Sequence, residues 1–339
     1  MYISLEAFVK FRFFVFIAII SLFAGLTSVS AQVDSVIGQV TNSFFASFAS
    51  GISSDGRFIV FESTGNLATE NPRNSDGNRE IFLFDYAQRR IFQITDTKVL
   101  LTDTTLNPTF DNIKVDIINE RPTISADGRW IAFGSNATYA FPGDGTNPPI
   151  ASTSNPGNFD ANSFTDTMGD NNLVNDGNTE MWLYQVPMTS AVDLSSGAEI
   201  PVTDLSAGVF TRVTNTTPSA LPAPGTQPTL PVIPHDNRDA SIRDDGNVIS
   251  FTSNRDLVPG VGNQFPTEDN DEIFSYVRSS GVTGQVTKTP RGSVSAPIYS
   301  LNSTISGNGS RVVFLSNGNN PTVGMTGGSN TDRNLEVFV

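Results

Sequence analysis

One short pattern occurs four times in this chain and constrains its fold more than any other feature. Each copy has an Ile, a turn pair of Asp or Asn followed by Gly, and a second run that ends in Phe. The copies are ISSDGRFIVF from Ile52, ISADGRWIAF from Ile124, IRDDGNVISF from Ile242 and ISGNGSRVVF from Ile305. Asp-Gly and Asn-Gly pairs are preferred in type I′ turns, where both central residues have positive φ. Each copy therefore predicts a β-hairpin.

Two other short patterns also occur four times. In the first, an Asn lies two residues before the Glu of an apolar strand; the Asn residues are 78, 178, 270 and 334, and the Glu residues are 80, 180, 272 and 336. In the second, a short strand ends in Val-Thr or Ile-Thr; the copies are Gln39–Thr41, Gln93–Thr95, Arg212–Thr214 and Gln285–Thr287. Together the three patterns predict four strands per unit, with repeats near residues 42–95, 120–216, 238–288 and 302–339.

Two stretches interrupt this regularity. The second unit carries an insertion of roughly 26 residues, about Ala137 to Asn175, which is rich in Asn, Gly and Pro and is predicted to be a long loop. The stretch Pro218–Pro234 is proline-rich, and because proline cannot donate a ladder hydrogen bond, this stretch is predicted to lie outside any sheet.

The second strand of each hairpin is apolar at consecutive positions, as in FIVF from Phe58 and VISF from Val248. Such a run is typical of a strand that is covered on both faces. A four-stranded sheet of this kind is not stable alone, and radial stacking of successive sheets around an axis buries both faces. The sequence therefore predicts an all-β protein, a β-propeller of four recognisable four-stranded blades.

The Thr strands leave two ways to complete the ring. One of them, Gln39–Thr41, precedes the first hairpin, whereas the fourth unit reaches Val339 without one. An N-terminal strand can complete the last blade of a propeller, which would close a ring of four. In the alternative, which we favour slightly, the chain is an incomplete part of a larger propeller.

Residues 1–31 differ from the rest of the chain. Lys10 and Arg12 precede an apolar run from Phe13 to Leu26, and Val29-Ser30-Ala31 offers small residues for cleavage. This composition predicts a secretory signal peptide. The alternative is an uncleaved anchor, but the apolar run as a helix reaches roughly 21 Å, short of the ~30 Å hydrocarbon core. We therefore expect residues 32–339 to be periplasmic or secreted, in or beyond a bacterial envelope, with no membrane insertion after cleavage.

Composition excludes several chemistries. The chain has 339 residues, a net charge of −14, no Cys and one His. Without Cys there is no disulfide, no Cys nucleophile and no Cys-ligated zinc, and one His cannot build a multi-histidine metal site. The acidic balance disfavours binding to nucleic acid, which requires clustered Lys and Arg.

The hairpins resemble TolB-like β-propeller repeats, whose signature is a Ser-x-Asp-Gly-Arg-x-Ile-x-Phe-x-Ser hairpin followed by an Asp-Ile-Phe-like strand. The matching residues of the first unit are Ser53, Asp55, Gly56, Arg57, Ile59, Phe61 and Ser63. The resemblance covers residues 39 to 339, and it implies a propeller and, by analogy, a scaffold in an envelope complex. Unit three has Asn247 and unit four has Ser310 in the Arg position, so a role carried by that Arg is not implied there.

No catalytic, cofactor or metal residue is predicted. The recurring Asp-x-Asn-x-Glu series offers oxygen ligands to calcium, but we favour Asx-turns and Glu–Arg pairing with the neighbouring hairpin. His235 lies in the proline-rich stretch, and no Gly-x-Ser-x-Gly nucleophile elbow accompanies it. Trp130 and Trp182 lie within repeat strands, where packing in the core or between blades is expected.

Repeat architecture without a catalytic constellation favours a non-enzymatic scaffold that binds a protein or peptide through its loops and central channel. The alternative is an enzyme, either a propeller hydrolase or lyase with carboxylates in the channel, or the propeller part of a serine peptidase whose catalytic domain is missing. A purely structural surface module is a third hypothesis. Fold alone does not decide among them.

Overall fold

The computed structural model describes residues 38–70, 72–97, 99–103, 113–137, 177–187, 205, 208–220, 233–263 and 269–339. The predicted signal peptide, nearly all of the predicted insertion and most of the proline-rich stretch lie outside these ranges. In the described residues the regular secondary structure is β-strand, as the repeats predict. No helix in this part of the chain has the length and apolar character to cross a bilayer.

The nineteen strands of the described residues all belong to one structural unit, Thr41–Val339. In chain order they are β1 (Ser47–Ile52), β2 (Phe58–Ser63), β3 (Glu80–Asp85), β4 (Arg90–Gln93), β5 (Leu100–Asp103), β6 (Ile113–Asp116), β7 (Asn119–Ile124), β8 (Trp130–Ser135), β9 (Glu180–Gln185), β10 (Val209–Arg212), β11 (Asn237–Ile242), β12 (Val248–Ser253), β13 (Glu272–Val277), β14 (Val282–Gln285), β15 (Gly292–Ser293), β16 (Ala296–Pro297), β17 (Ser300–Ile305), β18 (Val312–Ser316) and β19 (Glu336–Phe338).

The strands form small antiparallel sheets, one for each predicted unit. Strands β1–β4 make sheet 1, β7–β10 make sheet 2, β11–β14 make sheet 3 and β17–β19 make sheet 4, each in chain order. Two short hairpins, β5–β6 and β15–β16, lie between these sheets in the sequence. Sheets 1, 2 and 3 thus have the four strands that the three patterns predict, and sheet 4 has three.

The hairpin between the first two strands of each sheet is confirmed, but the type I′ turn is wrong. Only the Gly of each turn pair has positive φ, as at Gly56 with φ 75°, and Asp55 does not. Gly56 N–H donates to Ser53 C=O at 2.9 Å, and the Asp55 carboxylate accepts Arg57 N–H at 3.0 Å. The Asp side chain therefore holds a longer turn together, and the Gly ends that turn in the left-handed region.

The expectation that the second strand of a hairpin is covered on both faces is confirmed in β8, where Ile131 and Phe133 lie in one buried cluster and Ala132 lies in another. The next strand, β9, is covered in the same way. Trp182 and Tyr184 lie in a buried cluster with Phe58, Leu83 and other residues of sheet 1. Met181 and Leu183, the alternate residues of the same strand, lie in a second cluster with Phe251 and other residues of sheet 3. Side chains alternate between the faces of a strand, so sheet 2 is packed between sheets 1 and 3.

Each sheet contacts the next mainly through the first strand of the next sheet. β7 contacts β1, β2 and β3; β11 contacts β7, β8 and β9; and β17 contacts β11, β12 and β13. Trp130 takes part in this packing, since the guanidinium of Arg278 in sheet 3 lies 3.8 Å from the centroid of its ring. Trp182 is fully buried, so both Trp residues have the packing roles that the sequence predicts.

The fourth strand that the sequence predicts for the last sheet is not present in the described residues. Residues 39–41 are outside any strand, and β19 pairs with β18 alone. The other members of the pattern do form the fourth strands: Gln93 ends β4, Arg212 ends β10 and Gln285 ends β14.

Candidate functional site

The first strands of the four sheets line a common pocket of about 450 Å³. β1, β7, β11 and β17 all contribute to its wall, and Glu62 of β2 completes it. The lining residues are Phe48, Ser50, Glu62, Arg121, Pro122, Thr123, Asp239, Ala240, Asn302, Ser303 and Thr304. Ligand sites are generally concave surfaces that carry a few well-placed polar groups.

An irregularity in each first strand shapes this pocket. The pairing register shifts at the same place in all four hairpins, between Ala49 and Gly51 in β1 and at the equivalent positions of the other three. In three of them the bulged residue has positive φ: 51° at Arg121, 57° at Asp239 and 55° at Asn302. A bulge changes the direction of a side chain, and bulges are frequent next to binding and active sites.

Positive φ at Arg121 is a strained conformation for a long side chain. The left-handed region costs an L-residue roughly 1–2 kcal/mol, whereas Asp and Asn tolerate it better. Two contacts hold Arg121 there: its backbone N–H donates to the Glu62 carboxylate, and its guanidinium forms an ion pair with Asp239. Contacts to sheets 1 and 3, the two neighbours of sheet 2, thus stabilise the strained conformation of Arg121.

A second set of contacts surrounds Glu120, the neighbour of Arg121 in β7. Arg79 Nη1 lies 3.3 Å from Glu120 Oε2 and 3.4 Å from Glu62 Oε1, so one guanidinium bridges the two carboxylates. His235 Nδ1 lies 3.0 Å from Glu120 Oε1. His235, for which no catalytic role was predicted, is therefore a half-exposed partner of a buried carboxylate beside the pocket.

The pKa values of the two bridged carboxyl groups shift in opposite directions. Burial raises the pKa of Glu62, only partly opposed by Arg121 N–H and Arg79. Burial also acts to raise the pKa of Glu120, but the hydrogen bond and charge of His235, with Arg121 and Arg79, outweigh it and lower that pKa. Burial acts to lower the pKa of Arg121, but Asp239 and the two Glu residues raise it, which keeps this guanidinium charged.

The network continues into sheet 3. Arg238 forms an ion pair with Asp271 at 2.5 Å and lies 3.5 Å from Asp239. Charged side chains from three sheets are thus connected next to the pocket. They are the acids Glu62, Glu120, Asp239 and Asp271 and the cations Arg79, Arg121 and Arg238, with His235.

In sheets 1, 2 and 3 the recurring Glu of the second pattern has a structural role, whereas Glu336 in sheet 4 is exposed. Glu80, Glu180 and Glu272 are buried, and each accepts hydrogen bonds from two Thr hydroxyls of its own sheet. The Thr pairs are Thr95 with Thr97, Thr214 with Thr216, and Thr287 with Thr289. The predicted pairing with the neighbouring hairpin Arg is wrong, because Arg57 pairs with Asp85, at 2.8 Å. The register explains this: Phe58 pairs with Asp85 and Ser63 pairs with Glu80, so Arg57 lies at the opposite end of β3 from Glu80. Thr95 and Thr97 follow the end of β4, on the Glu80 side.

Two of these Glu residues, Glu80 and Glu180, also connect successive sheets. Asn119 Nδ2 in β7 donates to Glu80 Oε2 at 2.9 Å, and Asn237 Nδ2 in β11 donates to Glu180 Oε2 at 2.9 Å. A calcium ion at Glu80 or Glu180 would have to displace these Thr and Asn donors. Within the described ranges, no group of three or more His, Asp or Glu side chains has a metal-binding arrangement.

Sequence reasoning missed the pocket residues. The bulged residue is Arg121, Asp239 and Asn302 in sheets 2, 3 and 4, three residues before the hairpin Ile that all four units share. The equivalent residue of sheet 1, Ala49, pairs with Phe61 and does not line the pocket. Variation in size and charge does not single out this position, because the preceding one varies as much, being Phe48, Glu120, Arg238 and Leu301. The bulge itself has no sequence signature in these strands, so which face the residue occupies could not be deduced.

No protein-family model matches the chain, and no curated protein matches it. Among solved structures, TolB from Acinetobacter baumannii shares 16% identity over 81% of this chain and 39% of that chain, with a TM-score of 0.36. The putative TolB from Agrobacterium tumefaciens shares 13% identity over 77% of this chain and 56% of that chain, with a TM-score of 0.33. A prolyl endopeptidase structure shares 10% identity over 80% of this chain and 25% of that chain, with a TM-score of 0.33.

The chain therefore spans less than two thirds of the length of each of these structures. With identities below 25% and TM-scores below 0.5, the similarities assign neither a family nor a function. The architecture described above rests on the chain's own sheets and their packing.

Proposed function

We propose that the chain is an exported, non-enzymatic β-propeller scaffold that binds a protein or peptide segment at the pocket lined by its first strands. The observation that supports this most is the series of bulged residues. At this position sheets 2, 3 and 4 present three different side chains to the pocket, those of Arg121, Asp239 and Asn302. Different side chains on one shared concave surface are what a binding surface built on a repeat scaffold requires.

The chemistry of the pocket suits an extended polypeptide. Polar side chains such as Ser50, Thr123 and Thr304 can bond backbone amides, Phe48 and Pro122 offer apolar contact, and Arg121 and Asp239 offer charge of both signs. The side chain of Arg121 is 52% exposed despite its ion pair. A peptide carboxylate can therefore reach its guanidinium without displacing a buried group.

The test is selection of peptides against the purified protein, followed by affinity measurement on two variants. Arg121→Asn removes the guanidinium and keeps a residue type that tolerates positive φ, as Asn302 does in sheet 4. Arg311→Ala is the matched control, because Arg311 is exposed and lies outside the pocket. We expect selected peptides to bind at least about tenfold more weakly to Arg121→Asn and unchanged to Arg311→Ala. Equal binding to both variants, or no selected peptide, would contradict the proposal.

One observation favours an enzyme as the second candidate. Glu62 and Glu120 share the guanidinium of Arg79, and their pKa values shift in opposite directions. Two nearby carboxyl groups whose environments separate their pKa values are typical of an acid and a base in hydrolases and lyases. If this is the function, turnover of a glycan or peptide panel is lost in Glu62→Gln and retained in Arg311→Ala.

Export is part of the proposal and has its own test. The leader is expected to be removed after Ala31, so the protein recovered from the periplasm or medium should begin at Gln32. An intact N-terminus in the membrane fraction would contradict this and favour the anchor. The acidic charge of −14 supports a partner other than nucleic acid.

A further inference from the structure

The two ends of the row of sheets expose faces that are buried everywhere else. In the hairpin second strands, the residue that faces the next sheet is Val60 in sheet 1, Ala132 in sheet 2 and Ser250 in sheet 3, all fully buried. The equivalent residue of sheet 4 is Val313, which is 41% exposed. The face of sheet 4 that corresponds to the face on which sheets 1, 2 and 3 pack against the next sheet is thus solvent-exposed.

The opposite end shows the complementary exposure. The hairpin Ile faces the preceding sheet, and it is 6% exposed in Ile124 and 7% exposed in Ile305. Its equivalent in sheet 1, Ile52, is 59% exposed. Phe48 in the same strand is also exposed. The first strand of sheet 1 thus has the face that inserts against a preceding sheet, and this face too is solvent-exposed.

Contacts between successive sheets repeat closely along the chain. The second turn residue of one hairpin donates its backbone N–H to the equivalent carbonyl of the next: Ser54 to Ala126 at 2.9 Å, and Asp244 to Gly307 at 3.2 Å. Between sheets 3 and 4, Ser303 Oγ donates to Ser250 Oγ at 3.0 Å, and both side chains are buried. The equivalents of these two Ser residues at the exposed ends are Ser50 in sheet 1 and Val313 in sheet 4.

We propose that sheet 4 of one copy receives sheet 1 of a second copy, in the same geometry by which each sheet receives the next within the chain. The faces are complementary because every junction inside the chain joins the same two faces. The contact is head-to-tail, so the two copies contribute different surfaces. Val313 of one copy then lies beside Ser50 of the other, and Gly307 N–H of one copy meets Ser54 C=O of the other. This inference does not depend on the proposed peptide binding.

The absence of Cys from the sequence makes a clean cross-linking test available. Two single variants, Val313→Cys and Ser50→Cys, are purified separately, mixed and oxidised. Each chain then has one Cys, so a disulfide between one chain of each variant joins two copies. The positive control is Ser250→Cys with Ser303→Cys in one chain, whose hydroxyl oxygens are 3.0 Å apart, close enough for a disulfide after small adjustment.

We expect a mixed disulfide dimer from the two single variants and an internal disulfide from the control. Two results would overturn the proposal. One is an internal disulfide in a monomeric Val313→Cys/Ser50→Cys double variant, which would show that one chain closes on itself. The other is the absence of a mixed dimer when the control does cross-link.

Sedimentation velocity of the unsubstituted chain supplies an independent readout. We expect the mass to rise from one chain to two or more with concentration, and Val313→Arg to weaken this association at least about tenfold because it places an unpaired charge in the contact. Val323→Arg, at another exposed Val outside the sheets, is the control that should leave association unchanged. A monomer at every concentration would overturn the proposal.

Discussion

Replacement of Glu80 by Gln should change how the stability of this protein depends on pH. Glu80 is fully buried at the junction of sheets 1 and 2, where Thr95, Thr97 and Asn119 contact its carboxyl group. Burial raises the pKa of Glu80 to about 8, and the hydrogen bonds from the Thr residues oppose the rise only in part. The folded chain therefore holds a proton on Glu80 at neutral pH that the unfolded chain has released.

The sign and size of the effect follow from the two pKa values. Because the pKa is 4.5 in the unfolded chain and about 8 in the folded one, the stabilisation is complete below pH 4.5 and is lost as the pH rises toward 8. One proton corresponds to about 1.4 kcal/mol per pH unit. Between pH 5 and pH 8 the free energy of unfolding should fall by about 4 kcal/mol from Glu80 alone. Burial also raises the pKa values of Glu180 and Glu272, which adds to the fall.

The measurement is urea unfolding at pH 5, 6.5 and 8. Glu80→Gln has nearly the same shape and no titrating proton. The slope of its free energy of unfolding against pH should therefore be smaller than that of the unsubstituted protein by the equivalent of about one proton. Glu70→Gln is the control, since Glu70 is half-exposed and pairs with Arg90 at the surface; its slope should match that of the unsubstituted protein. Equal slopes for Glu80→Gln and the unsubstituted protein would show that the donors outweigh burial and that Glu80 is ionised, which would refute the reasoning.

Three further substitutions test the packing between and within sheets. Arg57→Ala leaves the buried carboxylate of Asp85 without its guanidinium, so we expect a loss of about 3–5 kcal/mol in urea unfolding; a loss below about 1 kcal/mol would contradict a buried pair. In Gly246→Ala the new Cβ would lie 2.2 Å from Trp130 Cδ1 at φ 68°, whereas in Gly260→Ala it meets open space at φ 85°. We expect the free energy of unfolding to fall by about 1 kcal/mol in Gly260→Ala and by at least about 2 kcal/mol in Gly246→Ala. Trp fluorescence should change in Gly246→Ala alone.

Much of the fold was predictable because the recurring patterns mark where each unit begins and ends. The hairpin, the Asn-x-Glu strand and the Thr strand each recur, so strand number and order in sheets 1, 2 and 3 follow from the spacing of the patterns. Consecutive apolar residues such as those around Phe61 correctly predicted coverage on both faces. Local chemistry was less accurate, since Asp55 forms a side-chain hydrogen bond in the turn instead of adopting positive φ.

The candidate site was not predictable in the same way. Arg121, Asp239 and Asn302 reach the pocket through bulges, and a bulge depends on how two strands pair and how sheets meet. Glu120 and His235 are 115 positions apart in the sequence, and their contact exists only because sheets 2 and 3 are adjacent. The predicted pairing of the recurring Glu with the hairpin Arg was wrong for a related reason. The spacing of the three patterns in the sequence is compatible with either the hairpin Arg or the Thr pair as the partner of that Glu.

The sequence by itself determined the type of building unit, its number of copies and the apolar character of both its faces, because these properties are local and repeat. The tertiary structure decided which side chains line the pocket, which carboxyl groups are buried among donors, and that the faces of Ile52 and Val313 are exposed. Those outcomes depend on the register of each hairpin and on the stacking of one sheet against the next. Neither quantity is encoded in any single copy of the repeat.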